Sequence, residues 1–405
     1  MDDTDDYIER PRYAEKITPF IGNGNIKIVT GIRRCGKSAM MRLISKSMDG
    51  CNVIYLNMEL GTNYRLRDWT SLLKYVESAI DPDRPNALFI DEVQNIEGWE
   101  LALRDIVARR LCDIYVTGSN SDLLSSEYST HIGGRFNTIR MLPLSYAECL
   151  DFRKAYGGEG DVFERFLGIG GFPILWHRPV DTQSSLQTVR DIVDVTIVND
   201  IEGRFGIKNK RLLMDILRFV LSTLGSYVSS NSIYNTLISS GVRVSRDTVY
   251  SYLEYLEAAN ILIRAETFDI RGKRVLTSKY KYYATDLGIK HALLGHRPDD
   301  APGHMENVIF TELLGRGYDV YVGGVNGKEI DFVAEKFGKR IYVQACHSIL
   351  YEKTMEREFG NLDAIGDNFP KFLVLMEPGV YEGVTESGII CCGLKEFLAN
   401  RHLDY

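Results

Sequence analysis

Two features that would place a chain in a membrane or outside the cell are missing from this 405-residue sequence. No apolar run approaches the roughly 20 residues that a membrane span needs, and we identify no signal peptide. The seven cysteines are an odd number and none stands in a Cys-x-x-Cys pair, which argues against a disulfide framework. We therefore expect a cytoplasmic protein with no membrane contact.

Excess positive charge is missing as well. The formal net charge of -7 argues against a protein that coats nucleic acid, although one domain can still carry a local basic surface. A hydrophobic content of 44% and a charged content of 25% are ordinary for a globular protein and argue against disorder. The length is too great for one ordinary core and predicts two to four domains.

The stretch GIRRCGKS, from Gly31 to Ser38, matches the P-loop pattern in full. Glycines let the backbone curl until successive N–H groups face a phosphate, and the following helix adds its positive end. Lys37 is predicted to reach the β- and γ-phosphates, and Ser38 to bind Mg²⁺. Side chains at the variable positions are expected to point outward while their amides bind. The predicted nucleotide-binding residues are Gly31, Arg33, Arg34, Cys35, Gly36, Lys37, Ser38 and Ala39.

The stretch ALFIDEVQ predicts the second half of the site. Its apolar residues form a strand that ends in Asp91, which is expected to bind Mg²⁺ together with Ser38. Glu92 follows as the carboxylate that polarises an attacking water. The alternative is a solvated acidic pair after a buried strand, and the P-loop upstream at the right distance argues against it.

Three further positions are candidates for the same site. In YVTGSNSDLL, Ser119 or Asn120 is placed to sense the γ-phosphate, with a plain turn as the alternative. Arg135 precedes another strand and is a candidate arginine finger for a neighbouring subunit, with a structural salt bridge as the alternative. Arg140 is the second choice for that role. The predicted catalytic residues are Lys37, Glu92, Asn120 and Arg135.

The base is predicted to be adenine. No guanine-specific Asn-Lys-x-Asp motif is evident in a fitting place. The aromatic residues of YIERPRY, at Tyr7–Tyr13, are candidates to pack on the adenine ring.

The pattern of strands and helices predicts an α/β protein with several domains. Strands alternate with helices over residues 1–150, which favours a parallel sheet covered on both faces. Residues 151–205 are mostly helical and form a lid or connector, interrupted by GIGGFP. Residues 206–298 contain three helices and a hairpin, the order of an α+β winged helix. Residues 299–405 form a mixed α/β domain.

The winged-helix region is a candidate for binding double-stranded DNA. Arg243 precedes its third helix, and Arg246 stands at the start of that helix. RGKR, at 271–274, forms the tip of the hairpin. Lys279 and Lys281 are expected to extend this positive surface, which would bind DNA mainly through phosphates. The alternative is a packing module inside an ATPase assembly.

The terminal domain has the layout of a PD-(D/E)xK nuclease without its lysine. Glu306 lies on a helix, and Asp331 lies on a strand with Glu329 facing the same way. The next strand carries Gln344 and Cys346 where such enzymes need a carboxylate and a lysine. We therefore predict a restriction-endonuclease-like scaffold that has lost catalysis.

As a set, these motifs resemble those of AAA+-type ATPases that bear a C-terminal domain of unknown function, DUF4143. The likeness is carried by IVTGIRRCGKS, FIDEVQ, VTGSNS, GGRF and LPLSYAE, and later by GGFP, YYATDLGI, ENVIFTELLGRGYDVYVG and EIDFV. It implies an additional-strand P-loop NTPase core with an AAA+-like parallel sheet, in which Lys37, Ser38, Asp91 and Glu92 have the roles given above. It also implies the winged helix and the nuclease-like terminal domain.

The predicted function is Mg²⁺-dependent binding and hydrolysis of ATP to ADP and phosphate, coupled to the conformation of C-terminal modules that bind DNA or protein. One alternative is a nucleotide-gated DNA-binding regulator with negligible turnover, and another is an active DNA nuclease. An arginine finger would imply a homo-oligomer, and a partner protein is the other candidate for the C-terminal modules.

Overall fold

The computed structural model describes residues 7–119, 134–296, 301–347 and 352–401. The chain divides into two compact units. The first extends to Leu142 and includes Ala258–Asn260, and the second consists of Pro143–Glu257 and the residues from Ile261 onward. Within the described ranges, no helix is both long and apolar enough to cross a membrane.

The first unit is a parallel β-sheet with helices between its strands. The strands are β1 (Ile26–Thr30), β2 (Asn52–Asn57), β3 (Asn86–Asp91), β4 (Asp113–Gly118) and β5 (Phe136–Arg140). The helices are α1 (Pro11–Ile17), α2 (Lys37–Lys46), α3 (Trp69–Ala79) and α4 (Trp99–Ala108). The strand order is β2-β3-β4-β1-β5, and every neighbouring pair is parallel. Strand β4 therefore lies between β1 and β3, which confirms the additional-strand P-loop NTPase core.

The residues of the central strands explain their position. All of β1 is buried, and only the first residue of β3 and of β4 is partly exposed. Strands that are apolar along their whole length are typical of the middle of a parallel sheet covered on both faces. The edge strands β2 and β5 have buried residues interrupted by more exposed ones, as expected where one side meets solvent.

The second unit begins with a helical region that leads into a hairpin. Its helices are α5 (Tyr146–Tyr156), α6 (Val162–Ile169), α7 (Pro173–His177), α8 (Thr182–Thr196), α9 (Gly203–Phe205), α10 (Lys210–Ser222), α11 (Ser230–Ser239), α12 (Arg246–Ala258) and α13 (Leu287–Leu294). A π-helical turn, Ile197–Glu202, connects α8 to α9. The strands of this region are β6 (Tyr227–Val228), β7 (Leu262–Asp269) and β8 (Arg274–Ala284).

The rest of the second unit adds strands to the same sheet. The helices are α14 (Ala301–Gly315), α15 (Glu352–Asp363) and α16 (Leu394–Ala399). The strands are β9 (Asp319–Val325), β10 (Lys328–Lys336), β11 (Lys339–Cys346), β12 (Lys371–Leu375), β13 (Gly383–Val384) and β14 (Ile389–Gly393). The strand order is β13-β14-β12-β11-β10-β9-β7-β8-β6.

The predicted hairpin is present as the antiparallel pair β7/β8, and β7 also pairs in parallel with β9. The hairpin and the terminal strands therefore form one continuous sheet. The predicted boundary at 205/206 falls inside this unit, and the one at residue 298 lies outside the described residues. Both boundaries stay predictions.

A close backbone contact explains the interruption at GIGGFP. A Cβ at Gly171 would lie 2.0 Å from the carbonyl oxygen of Leu144, and one at Gly288 would lie 2.2 Å from that of Ile169. Asp286 joins the two glycines, because its carboxylate accepts the N–H of Gly171 at 2.7 Å and the N–H of Gly288 at 2.8 Å. Burial raises the pKa of Asp286 to about 6.

Candidate nucleotide site

The P-loop connects β1 to α2 in a conformation that requires glycine. Gly31 has a φ of 152° and Gly36 a φ of 107°. A Cβ at Gly31 would lie 2.1 Å from the carbonyl oxygen of Met141, so no larger residue fits. Helix α2 begins at Lys37, and the N–H groups of its first turn have no partners within the helix. The loop therefore presents donors suited to a phosphate.

The backbone of the P-loop holds the side chain of Lys37 in place. Its Nζ donates hydrogen bonds to the carbonyl oxygens of Gly31, at 2.8 Å, and Ile32, at 3.2 Å. The side chain is buried, so the ammonium group stays next to the loop. The lysine therefore lies at the P-loop, and its binding of phosphate stays a prediction.

The two predicted magnesium-binding residues are in direct contact. Asp91 is the buried last residue of β3, and its carboxylate accepts hydrogen bonds from the hydroxyls of Ser38 and Thr117. Burial raises the pKa of Asp91, so the ionised carboxylate would gain from a nearby cation. A hydroxyl and a carboxylate at the end of parallel strands are hard oxygen donors, and this donor set fits Mg²⁺.

Glu92 is fixed by an unusual backbone conformation. Its φ of 59° and ψ of 57° lie in the left-handed region, which residues other than glycine rarely adopt. Its N–H donates to the hydroxyl of Thr117 at 3.0 Å, and its carboxylate accepts a hydrogen bond from the amide of Gln94. Such strain persists where surrounding contacts enforce it, often at functional sites. The carboxylate therefore has one defined position beside Asp91.

Thr117 and Gln94 stand inside the sequence motifs of this site, but neither was predicted to have a role. Thr117 is buried in β4 and connects Asp91 to the backbone of Glu92. The amide of Gln94 lies between Glu92 and the hydroxyl of Ser119, 3.4 Å away. The predicted sensor Ser119 is thus buried at the site, and Asn120 lies outside the described residues.

The side chains at the variable positions of the P-loop do not all point outward, and the predicted outward orientation of the Cys35 side chain is wrong, whereas its place among the nucleotide-binding residues stays a prediction. The Cys35 side chain is fully buried, and burial raises the pKa of its thiol. Its carbonyl oxygen accepts a hydrogen bond from Arg10 at 2.9 Å. Arg33 is partly buried, 3.3 Å from Glu59, and Arg34 is exposed. The fifth position of the loop faces inward because its Sγ packs against Gly31, where a Cβ would lie 3.0 Å from the sulfur.

Arg10 and Tyr13 support the loop from the amino-terminal segment. The second guanidinium nitrogen of Arg10 donates to the carbonyl oxygen of Leu142 at 3.0 Å, and the Tyr13 hydroxyl accepts the N–H of Leu142 at the same distance. Tyr13 is 1% exposed and so is unavailable to a base, whereas Tyr7 is exposed. Sequence reasoning missed Arg10 because its partners lie 25 and 132 residues away.

The two candidate arginine fingers lie at opposite ends of the same strand, β5. Phe136 pairs with Ile26 and Arg140 with Thr30, the residue that precedes the P-loop. Arg135, exposed just before β5, is therefore about 16 Å from Arg140 along the strand, at the end away from the P-loop. Arg135 lies too far away to complete the site of its own chain. Its role in a neighbouring subunit stays a prediction.

In the second unit, the predicted nuclease-like residues lie together around a lysine that was expected elsewhere. The Nζ of Lys281 is 2.6 Å from a carboxylate oxygen of Glu329 and 3.2 Å from one of Glu306. Lys281 is buried and does not extend a basic surface, so that prediction is wrong. The physical reason is that β8 is an inner strand of the sheet, and acidic groups from α14 and β10 surround this position.

Burial dominates the electrostatics of this acidic cluster, which we define as Glu306, Glu329 and Asp331. Burial raises the pKa of Glu306 and of Asp331, while Lys281 opposes the rise in both. Tyr283 donates a hydrogen bond to Glu306 at 3.0 Å. The N–H of Ala345 donates to Asp331 at 2.7 Å, and Gln344 accepts the N–H of Asp331 at 3.2 Å. Cys346 packs in an apolar cluster beside them.

The basic residues of the predicted DNA surface that precede and begin α12 or form the hairpin tip are exposed, and the side chain of Lys279 lies outside the described part of the structure. Arg243 precedes α12, and Arg246 is its first residue. The tip of the hairpin, residues 271–274, is also exposed. At the tip, Arg274 lies 3.9 Å from Asp269 and keeps 72% of its side-chain surface open to solvent.

Sheet order, P-loop and the Asp91–Glu92 pair define an AAA+-type P-loop protein. Residues 23–150 match the AAA domain family, and residues 160–300 match a domain of unknown function, DUF8612. The matched domain of unknown function is therefore not the DUF4143 that the sequence motifs suggested, and that prediction is not confirmed.

Similar proteins extend over most of the chain. An uncharacterised protein of Haemophilus influenzae is 32% identical over 376 residues, covering 91% of this chain and 93% of the relative. The uncharacterised protein MJ1544 of Methanocaldococcus jannaschii is 28% identical over 354 residues, covering 82% of this chain and 77% of the relative. The chain belongs to the same family as the Haemophilus influenzae protein.

Solved structures also resemble parts of the chain. The Aeropyrum pernix ORC1 protein in complex with DNA is 13% identical, covers 72% of this chain and 94% of its own, and has a TM-score of 0.32. The Thermotoga maritima RuvB Holliday junction branch migration motor is 18% identical, covers 63% of this chain and 88% of its own, and has a TM-score of 0.33.

Proposed function

We propose that the protein binds ATP with Mg²⁺ and hydrolyses it to ADP and phosphate. The observation that carries this proposal is the convergence of four predicted residues at the carboxyl ends of β1 and β3. Lys37 lies on the loop carbonyls, Ser38 bonds Asp91, and Glu92 is fixed next to them through Thr117.

Each residue has a role that follows from its chemistry. Lys37 neutralises charge on the β- and γ-phosphates, and the loop amides orient them. Ser38 and Asp91 would hold Mg²⁺, which, when bound, offsets charge on the phosphate oxygens. Glu92 orients a water and accepts its proton, while Gln94 limits the positions that its carboxylate can adopt.

Phosphate release and nucleotide binding, measured together, test the proposal. Lys37→Ala is expected to lose both binding and turnover, whereas Glu92→Gln should keep binding and lose at least about 100-fold in turnover. Glu97→Gln is a matched control because Glu97 is an exposed glutamate of the same loop region. Equal phosphate release from the wild type and all three variants would contradict the proposal.

We further propose that nucleotide state controls DNA binding by the second unit. Three helices followed by the β7/β8 hairpin, with β6 paired to β8, support a winged helix. The exposed arginines and Lys273 supply positive charge along α12 and the hairpin tip. Such a surface would bind duplex phosphates without reading the bases.

Fluorescence anisotropy with a labelled duplex tests DNA binding. Reversing two charges, with Arg271→Glu and Lys273→Glu, should weaken binding and reduce the slope of log affinity against log salt by about 2. Lys328→Glu with Lys339→Glu reverses two exposed charges elsewhere in the same unit and serves as the control. Affinity that differs between the ATP-analogue and ADP states would support coupling. Equal affinity of both double variants would oppose a role for the hairpin.

We propose that the acidic cluster is not a nuclease site. The ammonium of Lys281 already neutralises carboxylates that a nuclease would use for metal. A plasmid-nicking assay with Mg²⁺ or Mn²⁺ should therefore give no cleavage. Cleavage that disappears in Asp331→Asn would overturn this part of the proposal.

A further inference from the structure

Three histidines meet at the connection between α13 and α14. His291 lies in α13, His296 follows the end of that helix, and His304 lies in α14. One ring nitrogen from each lies within 4.8 Å of those of the other two. His291 and His304 are buried, and His296 is exposed.

The protonation of His291 is fixed by a backbone contact. Its Nδ1 lies 2.8 Å from the carbonyl oxygen of Gly168. A carbonyl oxygen only accepts, so Nδ1 carries the hydrogen. In the neutral ring, Nε2 is then the nitrogen that can bind a metal ion. A histidine that donates its other N–H to a backbone carbonyl is the usual arrangement of a metal ligand.

The geometry and chemistry of this group point to a transition metal. Imidazole nitrogens suit Zn²⁺ and its neighbours rather than Mg²⁺ or Ca²⁺. In a tetrahedral zinc site with bonds of about 2.05 Å, ligand nitrogens are about 3.4 Å apart. Closing the largest separation of 4.8 Å to that value needs each nitrogen to move by less than about 1 Å. Small rotations of the rings suffice.

We propose that His291, His296 and His304 bind a Zn²⁺ ion. Within the part of the chain that the structure describes, the three imidazoles are the whole donor group, and water completes the coordination. The ion ties the end of α13 to the start of α14, the helix that also carries Glu306. Its role is therefore to fix the two helices relative to each other. This site is separate from the proposed nucleotide site.

Metal binding to the full-length, nucleotide-free chain tests the proposal. After treatment with a chelator, Co²⁺ is added and the visible absorption of a nitrogen-ligated tetrahedral ion is recorded, followed by displacement with Zn²⁺. We expect about one ion per chain and a higher melting temperature with Zn²⁺. His296→Ala should weaken binding by at least about 10-fold and remove the absorption band.

The variants separate the site from other metal-binding groups. His296 is exposed, so its substitution does not disturb the core, and His304→Ala is the second variant. His347→Ala removes an exposed histidine of the same unit and should bind like the wild type. Two results would overturn the proposal. One is no stoichiometric binding, which would leave a packing cluster of three imidazoles in edge-to-face and tilted contact, with ring centroids 4.8 to 5.9 Å apart. The other is binding that persists unchanged in His296→Ala and His304→Ala.

Discussion

Replacing Lys281 by methionine tests how much this lysine stabilises the second unit by neutralising the acidic cluster. Methionine keeps most of the side-chain volume and removes the charge. The Lys281 side chain is 2% exposed and lies within hydrogen-bond distance of Glu306 and Glu329. The substitution therefore leaves buried carboxylates without the cation that neutralises them, which costs about 3 to 5 kcal/mol in comparable cases.

The free energy of protonating Glu306 gives a second estimate of this cost. The variant can avoid a buried charge by keeping Glu306 protonated. At pH 7.5, protonating a carboxyl with an ordinary pKa of 4.5 costs about 4 kcal/mol, at about 1.4 kcal/mol per unit of pH. Glu329 is 37% exposed and contributes less. The two estimates agree.

The sign of the pH dependence follows from the same argument. The folded variant holds a proton on Glu306 that the unfolded chain releases above about pH 4.5. Stability of the variant therefore falls, relative to the wild type, as the pH rises from about 4.5 to 7.5, by up to about 1.4 kcal/mol per unit. At pH 5 most of the deficit should be absent.

Urea unfolding at several pH values, combined with hydrogen exchange over β8 and β10, measures the effect. Lys328→Met is the matched control because Lys328 is an exposed lysine of the same sheet, and it should change the free energy of unfolding by less than about 0.5 kcal/mol. Adding Glu306→Gln to Lys281→Met should recover part of the loss. If Lys281→Met matches the wild type at pH 7.5 and shows no added pH dependence, the reasoning is refuted.

Three further predictions concern single positions. Gly31→Ala should abolish ATP binding, because its Cβ would lie 2.1 Å from the carbonyl oxygen of Met141; calorimetry that shows normal affinity would contradict the fit of the loop. Gln94→Ala should leave nucleotide affinity unchanged and lower turnover by about 10-fold or more, since Glu92 loses the amide that holds its carboxylate; unchanged phosphate release would refute this role. Asp286→Asn should remove the pH dependence of stability that comes from the Asp286 carboxyl. Because the pKa is raised to about 6, the contribution of Asp286 to stability is full below about pH 4 and is lost as the pH rises to about 6. The loss is about 3 kcal/mol. Stability curves of the wild type and the variant that stay parallel over that pH range would contradict this prediction.

The sequence alone predicted the P-loop, the Asp91–Glu92 pair and the order of strand, loop and helix around them. These features depend on short-range rules: glycine where φ is positive, apolar residues along a central strand, and acidic residues at its end. The alternation of strands and helices predicted the parallel sheet, the resemblance of the motifs implied the additional strand, and the structure confirms both, with β4 between β1 and β3. Thr117 and Gln94 were inside the motifs, but their hydrogen bonds depend on the register between β3 and β4.

Contacts between distant parts of the chain were beyond sequence reasoning. Lys281 stands in a run of charged and aromatic residues that resembles an exposed wing, and only the placement of β8 inside a nine-stranded sheet buries it beside Glu329, 48 residues later. The same holds for the three histidines, whose spacing across two helices and their connection has no local pattern. Local sequence determined the chemistry of the phosphate loop because neighbouring residues build it. The fold decided which buried charges and imidazoles meet, because burial and the pairing of distant strands are properties of the whole chain.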